Sequence, residues 1–580
     1  MTRPILRLTH AIACAATLAL APILTPTLAS AQTDGPDAGL DAGAYLASRS
    51  AAFNNSYAEG VRWFDRALLA DPDNTTLIEG LIISQIGEDK IDAAASAAAR
   101  LATLGGRSLA ANLALVARDA MAGDYAALLE APADRAVGNL LDQLVKAWAE
   151  FGAGRMTEAV AEFDSLAKAD GLKAFGLFHK ALALAAVGDF EGADAILSGR
   201  AEGPLVVNRR GVVAHIQILS QLERFDEATA LIDRTFGSDP EPQLDAMRAK
   251  LSARTPLVFD VVTSAQDGIA EVFFTLGAAL NGEAEDGYTL LYARIAADLN
   301  PAHTEARLLA ADLLQRQGQL ELARDVYSSF VPEDSAFYTA EIGRAGILDA
   351  LDQKDEALAI LLALTASHPD LGVVHMAYGD ALRRAEQFDA SAVAYSRAID
   401  LIQTPEERHW AVYYARAVAY ERAKQWPKAE ADFRKSLSLS PDQPVVLNYL
   451  GYSFVDRGEN LTEALGMIER AVAARPDAGY IIDSLAWAYY RLGRYDDALA
   501  QMERASLLEP VDPVVTDHLG DVYWAVGRKV EARFQWRRAL SFEPEEKDAT
   551  RIRAKLEKGL DGVLADEGAP PLKAGGDAGN

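Results

Sequence analysis

The segments Leu485-Ala486-Trp487-Ala488-Tyr489 and Leu519-Gly520-Asp521-Val522-Tyr523 decide the fold, because they repeat one pattern at an offset of 34 in the numbering. The glycine, alanine and proline behind each segment recur at the same offset: Gly493 and Gly527, Ala498 and Ala532, Pro510 and Pro544. A fixed period of this length indicates a repeated helix–turn–helix unit. One such unit cannot bury its apolar face alone, so the units must stack into an array.

Two columns of small residues extend this period over the C-terminal half. The first column consists of Gly277, Ala311, Ala345, Gly379, Ala417, Gly451, Ala486 and Gly520. The second, 12 positions later in most units, consists of Thr289, Ala323, Ala357, Ser391, Ala429, Ala464, Ala498 and Ala532. Small residues let the two helices of a unit approach closely, and a closing proline keeps the second helix from continuing. Eight units are therefore predicted here.

The N-terminal half repeats more faintly. Its first column is Ser48, Ile82, Val116, Ala147, Ala181 and Ile216, and its second is Gly60, Ala94, Leu128, Ala159, Ala193 and Ala228. Leu128 and the short offset of 31 between Val116 and Ala147 make the third of these units doubtful. The sequence thus predicts an all-α superhelix of about 14 helix–turn–helix units, six weak and eight strong.

The predicted organisation has six parts. They are a signal peptide (1–31), a linker (32–44), a divergent N-terminal array (45–240), a joint (241–271), a C-terminal array with a capping helix (272–562) and a disordered tail (563–580). The joint is inferred because the offset from Ile216 to Gly277 is 61, which exceeds one unit by 27. Its prolines interrupt the helical pattern.

The segment 1–31 reads as an export signal. Two arginines precede an apolar stretch from 11 to 24, and Ala29 and Ala31 form an A-x-A cleavage pattern. An uncleaved anchor is the alternative, but the stretch is short for a membrane span. Cys14 is the single cysteine, and it lies inside the apolar stretch rather than after it, which disfavours a lipid anchor. The expected product is a soluble protein of the periplasm, peripheral to the envelope at most.

The composition excludes several classes of function. A net charge of −28 disfavours nucleic acid and anionic lipid as general partners. No stretch after the signal is long and apolar enough to span a membrane, and the eight histidines show no metal-ligand spacing. Phosphate-binding and nucleophile motifs are absent from the sequence, and the abundant acids indicate a solvated face. We therefore expect no cofactor, no metal and no enzyme.

These residues resemble the tetratricopeptide-repeat family, specifically in 277–544 and loosely in 45–240. The resemblance implies a right-handed superhelix of antiparallel helix pairs, whose concave groove binds peptides or protein segments. Residues 448–536 are similar to the C-terminal repeats of exported bacterial members. One of these is the lipoprotein partner that activates a carboxy-terminal processing protease. This chain departs from it because Cys14 is poorly placed for lipidation.

One stripe on the first helix of each unit is expected to face the groove. At helical spacing in the last three units it comprises Asn448, Tyr452, Asp456, Tyr480, Asp483, Trp487, Tyr490, Arg491, Asp517, Asp521 and Trp524. Aromatic anchors beside polar groups suit a peptide groove, and the acids favour a segment bearing lysine or arginine. In the alternative interpretation, Trp487 and Trp524 only pack between units.

Two functions remain open from the sequence. The first is an adaptor in the bacterial envelope that brings a periplasmic protease and its substrates together through the groove. The second is a scaffold for an envelope or secretion assembly. In both functions the partner is a protein. Affinity capture distinguishes the two, because a protease indicates the adaptor and assembly components indicate the scaffold.

Overall fold

A computed structural model describes residues 41–237 and 240–572, except for the side chain of residue 134. The N-terminal array consists of six helix pairs: α1 (Ala42–Phe53) and α2 (Tyr57–Ala70), α3 (Thr75–Gly87) and α4 (Ile91–Thr103), α5 (Leu109–Met121) and α6 (Tyr125–Leu129), α7 (Asn139–Gly152) and α8 (Met156–Ala167), α9 (Lys173–Ala186) and α10 (Phe190–Leu197), α11 (Arg209–Gln221) and α12 (Phe225–Phe236). A single helix, α13 (Pro242–Ser252), follows them. The predicted cleavage residues Ala29 and Ala31 lie outside the described residues.

The C-terminal array consists of eight helix pairs and a final helix. The pairs are α14 (Ala265–Leu280) and α15 (Asp286–Leu299), α16 (Thr304–Arg316) and α17 (Leu320–Ser328), α18 (Phe337–Ala350) and α19 (Lys354–Ser367), α20 (Gly372–Arg384) and α21 (Phe388–Asp400), α22 (Trp410–Arg422) and α23 (Trp426–Leu439), α24 (Pro444–Arg457) and α25 (Leu461–Ala474), α26 (Gly479–Leu492) and α27 (Tyr495–Leu508), α28 (Pro513–Ala525) and α29 (Lys529–Leu540). The final helix, α30 (Glu546–Asp566), closes the array. Within the described residues the fold is all-α, with no strand beyond an isolated bridge between Asn281 and Ala284, which confirms the predicted fold class.

The first column of small residues marks where the two helices of a unit cross. A Cβ added to Gly451 would lie 2.7 Å from Cγ1 of Ile468, and one added to Gly520 would lie 2.4 Å from the Trp536 ring. Both distances are shorter than van der Waals contact, so only glycine fits there. Ala486, in the same column, is fully buried.

The turns between units are tied by a repeated hydrogen bond. An arginine of the second helix donates to the carbonyl of the proline that precedes the same unit. The bond recurs as Arg470 to Pro441, Arg504 to Pro476 and Arg538 to Pro510. Since each proline also terminates the preceding helix, the bond holds neighbouring units in register.

The doubtful third unit is a helix pair with a truncated second helix. That helix, α6, has only 5 residues and ends at Leu129. Leu128 occupies the position of the small residue and is buried at 8% exposure. A short 3₁₀ turn (Ala133–Arg135) then leads to α7. The shorter helix accounts for the reduced spacing between Val116 and Ala147, which made this unit hard to recognise.

The joint does not separate the two arrays as the sequence predicted. Helix α14 begins at Ala265, inside the predicted joint, and packs against α5, α7 and α9, while α15 packs against α3 and α5. A Cβ on Gly268 of α14 would lie 2.2 Å from the ring of Trp148 in α7. The first helices of the N-terminal units thus enclose α14, and one buried core runs continuously from Ala44 to Ala306.

The extended residues before α14 continue this internal packing along α11. The Gln217 side chain donates to Oδ1 of Asp260 at 2.7 Å and accepts from the Asp260 amide at 3.1 Å. The amide of Leu257 donates to Oγ of Ser220 at 2.8 Å. The inner face of the N-terminal array is therefore filled by its own chain.

A buried ionic cluster joins α14 to α11 of the N-terminal array and to the start of α16. Arg210 of α11 contacts Glu271 at 2.8 Å and Glu305 at 3.0 Å, and His303 lies 3.3 Å from Glu271. Burial opposes the charge of Glu271, but Arg210 and His303 outweigh it and lower the pKa of this carboxyl to about 2. Glu271 is thus a buried carboxylate whose charge is retained by its partners.

Candidate partner-binding groove

An open groove lies across the first helices of consecutive C-terminal units and has a volume of about 690 Å³. It runs from the end of α22 over α24 and α26 to the start of α28. Its lining residues are Glu421, Arg422, Lys424, Trp426, Asn448, Tyr449, Tyr452, Ser453, Asp456, Arg457, Tyr480, Asp483, Ser484 and Val514. The groove volume is within the range of known ligand sites, and the lining is largely polar with four aromatic rings.

Asn448 lies at the floor of the groove, and the carbonyl oxygen of its side-chain amide is buried without a partner in the described part of the chain. Its residue is only 9% exposed, and Oδ1 has no hydrogen-bond partner among the described residues. A buried polar group without a partner costs free energy and is uncommon in a folded protein. Asn448 is thus the groove-lining residue with a buried polar atom that lacks a partner within the described ranges.

Tyrosine rings form the walls beside this amide. Tyr480 is 40% exposed, and the hydroxyl of Tyr449 donates to Glu421 at 3.2 Å. The pKa of Tyr452 is raised above its usual value because its ring is buried. The negative charges of Asp483 and Asp456 add to this effect by disfavouring ionisation of the Tyr452 hydroxyl. Both carboxylates thus act on the Tyr452 hydroxyl.

Asp483 forms an ion pair with His518 that links α26 to α28. The Nδ1 atom of His518 lies 3.0 and 3.1 Å from the two carboxylate oxygens. Burial alone would lower the pKa of His518, but the nearby Asp483 outweighs it and raises that pKa. The ring of Trp487 stacks between His518 at 4.0 Å and Tyr490 at 4.6 Å. Trp487 and Tyr490 therefore pack between units and do not line the groove.

The last unit is covered by α30, which corrects the expectation that its stripe is open. Lys555 of α30 is fully buried, and its ammonium lies 2.7 Å from Asp517 and 2.7 and 2.8 Å from the two carboxylate oxygens of Asp521. Trp524 is 8% exposed and donates to Asp561 at 2.9 Å. The stripe of the last unit is closed because Lys555, a cation of the chain itself, occupies the space beside Asp517 and Asp521.

The structure therefore divides the eleven predicted groove residues. Five line the open groove: Asn448, Tyr452, Asp456, Tyr480 and Asp483. Arg491 lies beside it and donates to the main-chain carbonyl of Asp456 at 3.3 Å. The remaining five pack between units or beneath α30: Trp487, Tyr490, Asp517, Asp521 and Trp524.

Sequence reasoning missed the end of the groove that α22 and the start of α23 provide. Glu421 and Arg422 stand at +4 and +5 from Ala417, the same stripe positions that were assigned in the following units. Extending the stripe by one unit would have found both residues. Trp426 lies outside the stripe because it belongs to the second helix of its unit.

Two negative findings apply to residues 41–237 and 240–572. No helix there is long and apolar enough to cross a membrane. Nor does that part of the chain place three or more His, Cys, Asp or Glu side chains together in a way that could hold a metal ion.

Known proteins share this repeat pattern. Models of the family described as tetratricopeptide repeat match residues 410–443, 449–506 and 484–540, which include most of the groove helices. A tetratricopeptide-repeat-containing protein of Pseudomonas aeruginosa is 27% identical over 186 residues, which are 32% of this chain and 31% of that protein. The matched segment thus spans about a third of that relative's length.

Two solved structures are also similar to this chain. The crystal structure of the APC/C hetero-tetramer Cut9-Hcn1 covers 89% of this chain and 96% of its own, at 15% identity and a TM-score of 0.40. A tetratricopeptide repeat protein from Parabacteroides merdae covers 44% of this chain and 98% of its own, at 17% identity and a TM-score of 0.36.

Proposed function

Because this chain is a tetratricopeptide-repeat protein, we propose that it is a non-catalytic adaptor that binds a segment of another protein in the groove of α22–α28. The open groove, with the carbonyl oxygen of the Asn448 amide unpartnered at its floor among the described residues, is the observation that carries this proposal. Such an amide lowers stability in the free protein unless a ligand completes its hydrogen bonds. The flanking tyrosines supply the rigid aromatic area that binding sites favour.

The N-terminal array serves this adaptor as a structural base. Its inner face holds residues 255–280 of the chain, including the Gly268 contact with Trp148. A partner segment there would have to displace a buried helix and break the Glu271 ion pair. The open groove of the C-terminal array carries no such occupant among the described residues.

The proposed setting is the bacterial envelope. The A-x-A pattern at Ala29 and Ala31 and the preceding apolar stretch support export. The similarity of residues 448–536 to exported repeat proteins that serve proteases supports a partner of that class. On this proposal a carboxy-terminal processing protease and its substrates meet on the adaptor.

Site-specific photo-crosslinking in cells tests the proposal. A photoreactive phenylalanine analogue at Tyr480, a partly exposed wall residue, should capture one protein reproducibly. The same analogue at Val393, which is 71% exposed on α21 and outside the groove, is the matched control.

A protease captured only from Tyr480 supports the adaptor, and a component of an envelope assembly captured there favours the scaffold. Equal capture from both positions, or none from Tyr480, contradicts the groove as the binding site.

A further inference from the structure

At the last unit of the array, the chain encloses one of its own lysine side chains. Lys555 is fully buried with its ammonium between the carboxylates of Asp517 and Asp521. The same ammonium lies 5.7 Å from the centre of the Trp536 ring. Two carboxylates and an aromatic ring are sufficient here to hold a cation out of water.

The open groove contains one of these acids one unit earlier, while a second acid and an aromatic ring come from α24. Asp483 precedes Asp517 by one repeat period, at the same position of its helix. Asp456 is exposed and has no ion-pair partner among the described residues. The ring of Tyr452 lines the same groove as both carboxylates. The groove thus brings together two carboxylates and an aromatic ring, and among the described residues no lysine or arginine forms an ion pair with either carboxylate.

Arg422 and Lys424 line the α22 end of the groove, and the described cations next to the two acids already have partners. Arg491 donates to the main-chain carbonyl of Asp456 at 3.3 Å. Arg457 pairs with Glu459 at 3.0 Å. His518 pairs with Asp483, but a carboxylate has capacity for further donors. The side chain of Asp456 and the outer lone pairs of Asp483 are left for a ligand.

We propose that the bound segment presents a lysine or arginine side chain between Asp456 and Asp483, against the ring of Tyr452, as Lys555 is held in the next unit. The inference rests on the proposed function of the groove and specifies its ligand. The Asn448 amide bonds the main chain of the segment, and the two acids select its side chain. The recognised partner is therefore a protein segment with one essential basic residue.

Selection from random peptides tests this without knowledge of the partner. A phage-displayed library of heptapeptides is panned against the full chain, and peptides lost on Tyr480→Ala are retained as groove-dependent. They should share a lysine or arginine at one position. Replacing that residue by norleucine should weaken binding about tenfold or more, because a charge-assisted hydrogen bond and a cation–π contact are lost.

Two variants complete the test. Asp456→Asn should weaken the selected peptides about tenfold, since a charge-assisted contact becomes a neutral one. Asp477→Asn, an exposed acid outside the groove, should leave their affinity unchanged. Groove-dependent peptides without a shared basic residue overturn the lysine site and leave the binding groove standing. Recovery of no groove-dependent peptide overturns both.

Discussion

Replacing Lys555 by methionine should release the C-terminal helix from the array. Methionine keeps most of the side-chain volume and removes the ammonium, so Asp517 and Asp521 remain buried without their partner. Breaking a buried ion pair in this way typically costs about 3–5 kcal/mol. Arg551 remains 3.5 Å from Asp521 and can offset part of this cost. We therefore expect a loss near the lower limit, about 3 kcal/mol.

Hydrogen exchange of α30 measures this loss directly. The most extensive contacts of α30 are with α28 and α29, so we expect the helix to open without unfolding the remaining units. A loss of about 3 kcal/mol corresponds to roughly a hundredfold faster exchange of α30 amides. Lys547→Met, at an exposed position of the same helix, is the control. Unchanged α30 exchange in Lys555→Met would refute the view that the ion pair holds the helix in place.

Three further predictions concern the array itself. Gly451→Ala should destabilise the protein by about 1–3 kcal/mol in denaturant titration, because its Cβ would meet Ile468, whereas Gly466→Ala, with nothing within 4 Å, should be neutral or slightly stabilising. The folded pKa of Glu271 is lowered to about 2, so its stabilising contribution is complete above the unfolded pKa and is lost as pH falls from about 5 to 2. Glu271→Gln should flatten the pH dependence of unfolding in that window, and an unchanged profile would contradict the assignment. Trp524→Ala should lower the melting temperature by removing about 3–5 kcal/mol of packing under α30, and an unchanged melt would place this ring outside the core.

The repeat period of the C-terminal half was sufficient to predict the fold. Glycine at 451 and 520 could be assigned to helix crossings because a close approach excludes a Cβ there. The same logic was weak in the N-terminal half, where Ile82 and Leu128 occupy positions that small residues hold elsewhere. Stacking depends on the fit between units. In the third unit the shortened helix α6 stacks with Leu128 at the position where other units have a small residue.

Two features of the structure could not be predicted from the repeat period of the sequence. The insertion of α14 into the N-terminal array depends on contacts such as Gly268 with Trp148, which join residues far apart in sequence. The covering of the last unit depends on Lys555 reaching Asp521 from a helix outside the repeats. Helical spacing shows which face a residue occupies, but not which distant segment covers that face.

Five of the predicted groove residues come together where consecutive units remain uncovered. Asn448 and Asp483 line the groove because α24 and α26 present the same stripe without an occupant among the described residues. Trp487 lies one turn after Asp483 on α26, and its ring stacks on the ring of His518 from α28. Its role as an anchor could not be distinguished from packing without the position of α28.

The central claim, that the groove of α22–α28 binds the partner through Asn448, is tested most directly by Asn448→Leu. Leucine has nearly the same shape and removes the unsatisfied buried amide, so the unfolding midpoint of the free protein should stay unchanged or rise. The affinity for the protein captured at Tyr480, measured by titration calorimetry, should fall about tenfold or more because the ligand's main chain loses its hydrogen bonds. Unchanged affinity in a protein that folds normally would contradict the claim.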